Sequence, residues 1–415
     1  MLDLTAIRSH FPALAADTIF LDNPGGTQVC QQSIDRLTEY YLERNANHGG
    51  AYPTSASSDA SVDEARAAMA DFLHAASPNE IVFGMNMTTL TYTISRALVR
   101  AFQPGDTIVV TRLDHDANIS PWLQAAEDRG CKVRWVTFDR QTGMLDLDDF
   151  QAAMQEKPRL VAFGYASNAL GTINPAKKLV KMAHAAGALV YIDAVQYAPH
   201  GPIDVQDLDC DFLVCSAYKF FGPHLGILYG KYNLLDSLTA YRVRPAPSTP
   251  PGKFETGTGS FEAMNGVLGT LEYFEWLGKS FGSEHIEMLS GKYSGRVLTY
   301  KKAMHALRAY EHEMNSRFLQ IFDSIPNVTL YGPWQVEDRV ATFSFQVAGK
   351  PSRQAAEEFG KAGINLWDGN FYALAVTQHL GVEDTGGLVR VGAVHYNTFD
   401  EIDRFAEVLR SIAAT

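Results

Sequence analysis

Short apolar runs recur along the chain up to residue 229 and predict the strands of a sheet. They span residues 81–83, 107–111, 132–136, 160–163, 188–192, 211–215 and 226–229. Segments with helical spacing, such as 90–102 and 176–186, separate some of these runs. Alternating strands and helices are typical of a parallel or mixed sheet covered by helices, so the pattern predicts an α/β fold.

The beginning of the chain has a different pattern. Turn clusters at 21–27 and 45–50 give the first fifty residues the composition of a loop-rich arm. Ser61 and Glu64 then have the spacing of a capping box, which predicts that a helix begins there.

Beyond Phe261 the pattern predicts a smaller α+β domain. A long helical stretch precedes residues 340–345, which alternate like a half-exposed strand. Thr398 and Glu401 have capping-box spacing and predict the last helix.

Composition narrows the class of protein. A chain of 415 residues with 46% apolar content is typical of a soluble globular protein of two or three domains. Its net charge of −12 argues against nucleic acid or an anionic membrane surface as the main partner. No apolar run approaches the roughly 18 residues of a membrane span, and the first residues do not resemble a signal peptide.

The cysteines indicate no metal site. None of the four forms a CxxC pair, and no Cys/His cluster has the spacing of a zinc site. Few, scattered cysteines fit a reducing compartment, so we expect a cytoplasmic protein. They are Cys30, Cys131, Cys210 and Cys215.

Two strand ends carry the most informative side chains. Asp193 closes the apolar run 188–192, and Lys219 follows the run 211–215. An amine and a carboxylate at neighbouring strand ends are the pair that a pyridoxal phosphate (PLP) site requires. The amine forms the Schiff base and the carboxylate keeps the ring nitrogen protonated.

Hydroxyl groups near predicted helix starts are candidate anchors for the phosphate. Thr88 and Thr89 lie between a strand and the helix 90–102, where free N–H groups can bind an anion. Alternatively, these threonines only cap the helix. Ser216 and Tyr218 flank the lysine and can add hydroxyls to the same site.

Two further side chains are candidates for contacts with the cofactor ring. His115 follows a strand and can stack on the ring or transfer protons; otherwise it is a surface histidine in an acidic loop. Asn168 can bind the ring oxygen or a substrate carboxylate; otherwise it is a turn residue.

The order of these segments resembles class V of the PLP-dependent aminotransferases, in the branch that contains the group II cysteine desulfurases. The resemblance covers about residues 18–410. The segments that carry it are 20–23, 114–122, 167–172, 193–196, 216–219, 255–258 and 390–398.

The resemblance implies fold type I of the PLP-dependent transferases, with a seven-stranded, mainly parallel sheet in the large domain. It places the large PLP-binding domain at 18–275 and a small α+β C-terminal domain at 276–415. An N-terminal arm at 1–17 packs with the small domain. It also implies a homodimer with the active site at the subunit boundary.

The resemblance also implies a role for each matching residue. Lys219, His115 and Asp193 are the expected catalytic residues: Lys219 forms the Schiff base, His115 stacks on the ring, and Asp193 pairs with the ring nitrogen. Gln196 touches the ring oxygen, and Ser216 binds the phosphate.

The expected substrate contacts, Tyr372 among them, and one further cofactor contact come from other segments. Arg390 binds the α-carboxylate, with Asn168 beside it. Thr258 reaches the phosphate of the neighbouring subunit. His48, in the glycine-rich arm, lines the substrate pocket or is a solvated loop histidine.

Three positions depart from the desulfurase pattern. Tyr372 occupies the place of the loop cysteine that accepts sulfur, and Trp367 replaces an arginine of the same loop. Tyr218 stands where desulfurases have histidine, and a Tyr-Lys pair resembles kynureninases. Cys210 and Cys215 lie in or beside the strand before Lys219, so we expect them to be buried and inert.

We therefore predict a PLP enzyme that acts on a small amino acid, by a C–S or other β-lyase reaction that needs no persulfide cysteine. An aminotransferase or epimerase of class V is the alternative. A non-catalytic binding module on the same fold is a more remote one.

Overall fold

A seven-stranded sheet is the centre of the larger part of the molecule, as seen in a computed structural model that describes residues 2–414. Its strand order is β2-β8-β7-β6-β5-β3-β4, and only β8 runs antiparallel to its neighbours. The strands of the chain are β1 (Ile19–Phe20), β2 (Ile81–Gly84), β3 (Thr107–Thr111), β4 (Lys132–Val136), β5 (Leu160–Gly164), β6 (Leu189–Asp193), β7 (Phe212–Ser216), β8 (Gly226–Gly230), β9 (Val328–Tyr331), β10 (Thr342–Val347), β11 (Ile364–Asn365), β12 (Trp367–Gly369) and β13 (Leu388–Gly392).

The helices of the chain cover its sheets and connect their strands. They are α1 (Leu4–Arg8), α2 (Gln31–Glu39), α3 (Pro53–Leu73), α4 (Met87–Leu98), α5 (Ser120–Arg129), α6 (Leu147–Gln155), α7 (Ala176–Ala185), α8 (Val205–Leu208), α9 (Tyr232–Ser237), α10 (Phe261–Phe281), α11 (Ile286–Leu289), α12 (Gly295–Asp323), α13 (Ser352–Lys361), α14 (Leu374–Leu380) and α15 (Phe399–Ala413). The predicted α/β fold is confirmed. All seven predicted strands are present. Continuous apolar runs suit the strands that are buried on both faces, whereas β4, with Lys132 and Arg134, is a partly exposed edge strand.

A second, four-stranded antiparallel sheet with the order β12-β13-β10-β9 lies in the C-terminal part. Its core is aromatic: Phe318 and Phe322 of α12 pack on Phe343 and Phe345 of β10, and Phe405 of α15 joins them. This confirms the small α+β domain. The predicted boundary at 275/276 falls within α10 and stays a prediction.

The N-terminal segment contacts the C-terminal part. Arg8 donates to the Tyr396 carbonyl and forms an ion pair with Glu401. Strand β1 pairs in parallel with β11. The predicted arm at 1–17 stays a prediction.

The predicted start of a helix at Ser61 is wrong. Helix α3 begins at Pro53, and Ser61 lies inside it, where its hydroxyl donates to the Ser58 carbonyl. Proline suits the first position of a helix because its missing N–H has no partner there in any case. The capping box at Thr398 and Glu401 is confirmed.

Two other local predictions are also wrong. Residues 31–39 form α2 and are not loop, because α2 packs directly on α10: a side chain at Gly269 would lie 2.2 Å from the Gln32 carbonyl oxygen. Strand β10 is not half exposed, because Ser344 donates to the Ala169 carbonyl at 2.5 Å and the alternating polar face is buried against the larger part.

Within residues 2–414, no helix is long and apolar enough to cross a membrane.

Candidate active site

The carboxyl ends of the parallel strands bring the predicted chemical residues together. Asp193 ends β6, Lys219 follows β7 in a short 3-10 turn, and His115 and Asn168 follow β3 and β5. A cavity of about 60 Å³ is lined by these four and by Thr88 at the start of α4. It adjoins a wider cavity of about 810 Å³, and Arg390 lines this wider cavity. Clefts at this edge are where open α/β sheets bind ligands.

Asp193 is a buried carboxylate in the small cavity. One oxygen accepts from the Val195 N–H at 2.9 Å. Burial raises the pKa of Asp193 to about 6, and this N–H and the Lys219 charge oppose the rise. A carboxylate of this kind gains from a cationic partner, and a protonated ring nitrogen would supply one.

Lys219 lines both cavities. Its Nζ donates to the Pro24 carbonyl and lies 5.1 Å from the centre of the Tyr218 ring. Burial, together with the Arg390 charge, lowers the pKa of Lys219 to about 7, against the pull of Asp193. The amine is therefore a nucleophile or base near neutral pH.

The start of α4 has the features of an anion-binding site. Thr88 lines both cavities, whereas Thr89 is exposed and forms a capping box with Asn86. The Ser216 hydroxyl accepts from the Met87 N–H at 3.1 Å and is buried beneath the helix start. Tyr218 lines both cavities and stacks on His224, with ring centres 4.8 Å apart. These residues fit a phosphate group at the end of the cofactor.

His115 faces both cavities as a neutral ring. Its Nδ1 accepts from the Ala117 N–H at 3.0 Å, so the proton of the neutral ring lies on Nε2. Burial lowers the pKa of His115 to about 3, and the charges of Lys219 and Arg390 act in the same direction. An uncharged, flat ring at this place fits a stacking partner of an aromatic cofactor.

Tyr372 lies on His115. The two rings are nearly parallel, at 18° with centres 5.8 Å apart, and the Asp116 N–H donates to the Tyr372 carbonyl at 2.6 Å. Phe371 and Tyr372 both have positive φ, at 55° and 56°, which is unusual for large side chains. Asn370 holds the loop, because its side chain accepts from the Tyr372 N–H and donates to Glu383.

Arg390 is a buried cation without a carboxylate partner among the residues that the structure describes. It is 4% exposed, its Nη1 donates to the Asn168 carbonyl at 2.9 Å, and its guanidinium lies 4.3 Å from the centre of the Phe371 ring. Its Nε has no hydrogen-bond partner within residues 2–414. Burial lowers the pKa of Arg390 to about 9. Since an unpaired buried charge is costly, this arrangement favours an anionic ligand.

Two amides beside these groups have free acceptors. Asn168 donates to the Phe371 carbonyl at 2.9 Å, but its Oδ1 is buried without a partner. Gln196 donates to the Thr342 hydroxyl at 3.0 Å, and its Oε1 is likewise unpartnered. Both side chains line the small cavity. Unpartnered buried polar atoms facing a cavity are a common mark of a binding site.

The structure does not bring every predicted residue to the cavities of this subunit. His48 is exposed and contacts Asp59 at 2.6 Å, as a solvated loop histidine would. Thr258 is exposed in the loop before α10. Their predicted roles, and that of Thr89, stay predictions.

Sequence reasoning missed Asp114, which also lines the small cavity. Its carboxyl group accepts from the Thr111 hydroxyl and from Asn118 at 2.8 Å. Burial raises the pKa of Asp114 to about 8, which favours its neutral form near pH 7. The only local sign was its place between the strand 107–111 and His115.

No cysteine lines either cavity in residues 2–414. Cys30, Cys210 and Cys215 are buried, as predicted for the last two, and burial raises the pKa of each thiol. Cys131 precedes β4 at the amino edge of the sheet, opposite the cavities. In the same range, no three His, Cys, Asp or Glu side chains are grouped to hold a metal ion.

Comparison with known proteins agrees with this geometry. The family described as "Aminotransferase class-V" matches residues 19–302 and 282–405. A cysteine desulfurase from Synechococcus elongatus is 32% identical over 99% of this chain, which spans 64% of the length of that protein. An aminotransferase-like protein from Gibberella zeae is 34% identical, with 98% of this chain and 97% of that protein covered. The apo structure of a cysteine desulfurase from Thermococcus onnurineus has a TM-score of 0.87 and 27% identity, with 100% of this chain and 99% of that chain covered.

Proposed function

The chain belongs to the class-V aminotransferase family of PLP-dependent enzymes, and from this premise we propose that it catalyses a β-elimination on a small amino acid. The proposal rests on one observation above all. The cavities present a buried amine and a carboxylate receptor, but no cysteine that could accept sulfur. The position expected for that cysteine holds Tyr372.

The cofactor would be held by groups from four strand or helix ends. Asp193 would pair with its ring nitrogen, His115 would stack on its face and Gln196 would contact its ring oxygen, while Thr88 and Tyr218 would bind the phosphate. Bound PLP supplies an electron sink for the bonds at the substrate Cα.

The chain itself supplies binding and proton transfer. Arg390 binds the substrate carboxylate by a charge-assisted pair, which satisfies its own buried charge. Asn168 lies beside it with a free acceptor for the substrate. Lys219 is uncharged above about pH 7 and accepts the Cα proton.

The elimination is balanced for a sulfur amino acid such as cysteine. The Cα–H and Cβ–S bonds break, the proton passes to Lys219, and sulfur leaves with the bonding electron pair. Water then hydrolyses the released unsaturated amino acid. One cysteine and one water yield pyruvate, ammonia and hydrogen sulfide.

Product analysis tests this proposal. The purified protein with PLP is incubated with cysteine, cystine or cysteine sulfinate, and pyruvate, ammonia, sulfide and alanine are measured. Pyruvate and ammonia in equal amounts are the expected result. Alanine with enzyme-bound sulfur would overturn the proposal in favour of desulfuration, as named for the Synechococcus relative. Amination of an added keto acid without pyruvate release would establish the aminotransferase alternative.

A matched variant sharpens that test. Tyr372→Cys places a thiol where a desulfurase has its sulfur acceptor. If the lyase reaction depends on the absence of this thiol, the variant should form some alanine and bound sulfur from cysteine. Tyr372→Ser is the control, since it opens the same space without a thiol.

The lowered pKa of Lys219 predicts how cofactor capture depends on pH. Only the uncharged amine attacks an aldehyde, so the rate at which the apoprotein captures PLP should rise with pH and be half-maximal near pH 7. N-acetyl-lysine, whose amine has an ordinary pKa, is the control for the free reaction. Absorbance changes after mixing at several pH values give the midpoint. A midpoint above pH 9 would contradict the assignment.

A further inference from the structure

A buried chain of polar groups extends from the small cavity into the protein. The Gln196 Nε2 lies 3.0 Å from the Thr342 hydroxyl and 3.5 Å from the His200 Nε2. On its other side, His200 Nδ1 lies 2.8 Å from a carboxylate oxygen of Glu311. The His200 and Glu311 side chains are each 3% exposed. Of these four residues, only Gln196 lines the cavity.

The amide of Gln196 fits this place in two orientations, since its two ends have the same shape. With Nε2 toward Thr342 and His200, its Oε1 faces the cavity side without a partner. In the reverse orientation, Oε1 accepts from the Thr342 O–H and from a proton on His200 Nε2. The NH₂ group then faces the cavity. Only this second orientation satisfies the hydroxyl proton of Thr342 as well.

The choice depends on whether His200 Nε2 carries a proton. Two protonation states place one there: an imidazolium beside an ionised Glu311, or a neutral ring that accepts from a protonated Glu311. Both leave the pair without net charge. A bare Nε2 requires Nδ1–H beside an ionised Glu311, and so leaves a net negative charge in a buried site.

The surroundings favour the uncharged pair. Burial raises the pKa of Glu311, although His200 and Arg308 act in the opposite direction. Burial lowers the pKa of the neighbouring His395 to about 3, so this ring adds no charge to the site. A proton shared between His200 and Glu311 avoids a net charge in the buried site, with Nε2–H directed at Gln196.

We propose that His200 and Glu311 are positioning residues that turn the amide N–H groups of Gln196 toward the cofactor, as donors to its ring oxygen. The inference rests on the proposed placement of the cofactor beside Gln196. Neither His200 nor Glu311 lines either cavity.

The pH titration of the visible absorbance band of the bound cofactor tests this inference. A donor beside the ring oxygen stabilises its deprotonated form, so loss of the donor moves the midpoint to higher pH. A hydrogen bond to a charged group predicts a rise of about one pH unit in His200→Phe. Gln196→Leu should raise the midpoint as much. Combining His200→Phe with Gln196→Leu should raise the midpoint no further than either substitution alone.

Glu311→Gln is the matched control. Its amide donates to His200 Nδ1 and leaves the proton on Nε2, so the midpoint should stay within a few tenths of a pH unit of the parent. The variant that combines His200→Phe with Glu311→Leu removes both polar groups, and it replaces His200→Phe in the test if the single variant does not fold. Its midpoint is expected to rise as much as that of His200→Phe.

The outcomes separate this inference from the proposed function. A band whose midpoint is unchanged in His200→Phe would overturn the inference and leave the enzyme assignment intact. A shift in Glu311→Gln equal to that in His200→Phe would also overturn it, since the proton on Nε2 would then not be the cause. Absence of any visible band in the parent protein with PLP would instead refute the placement of the cofactor.

Discussion

Lys219→Ala should abolish the shift in PLP absorbance that accompanies binding and lower turnover by about 10²- to 10⁴-fold. Lys219 is the only amine that lines either cavity in residues 2–414, so no neighbour can replace it as nucleophile or base. The spectrum after mixing with PLP and the rate of product formation measure the two effects.

Lys177→Ala is the control, because Lys177 is an exposed lysine of α7 whose partner is Asp207. It should bind PLP and turn over as the parent does. Lys219 is buried and donates to the Pro24 carbonyl, so a thermal unfolding curve must first establish that Lys219→Ala is folded. An unchanged spectral shift in folded Lys219→Ala would refute the assignment of this residue.

Arg390→Gln should lower kcat/KM for the amino acid by about 30- to 4000-fold, chiefly through KM. The range corresponds to about 2–5 kcal/mol for loss of one partner of a buried charge pair. Arg390→Lys should recover only part of this, since an ammonium cannot form the bidentate contact. Steady-state kinetics of the three proteins measure the effect.

Two comparisons make the Arg390 test specific. Cysteamine lacks the carboxylate, so its binding to the bound cofactor should differ little between the parent and Arg390→Gln. Arg353→Gln is the matched surface control, because Arg353 is mostly exposed and contacts Asp368. Equal losses for cysteine and cysteamine would show that Arg390 does not bind the carboxylate.

Local patterns predicted the sheet well and the helix starts less well. Strands buried on both faces need continuous apolar runs, and six of the seven strands of the large sheet have them; the edge strand β4 carries Lys132 and Arg134 instead. Ser61 and Glu64 satisfied the spacing of a capping box inside a helix that begins at Pro53. Local spacing cannot distinguish a helix start from a helix interior when small residues precede it.

The cofactor residues were predictable for a related reason. Asp193 and Lys219 follow directly on strands, and the carboxyl ends of parallel strands meet at one edge of a sheet. Their proximity therefore follows from the strand pattern. Asp114 stood at an equivalent strand end, but nothing local marked it as buried and neutral.

By itself, the sequence determined the α/β fold, the amine and carboxylate at the sheet edge, and the absence of a cysteine at the loop position of Tyr372. Only the tertiary structure decided what surrounds them. It placed Tyr372 on His115 and joined His200 to Glu311 across 111 positions of the chain, and within residues 2–414 it left Arg390 without a carboxylate partner. Strand and helix patterns follow from neighbours within a few residues. Contacts between distant segments, and the burial that shifts their pKa values, arise only when whole elements pack together.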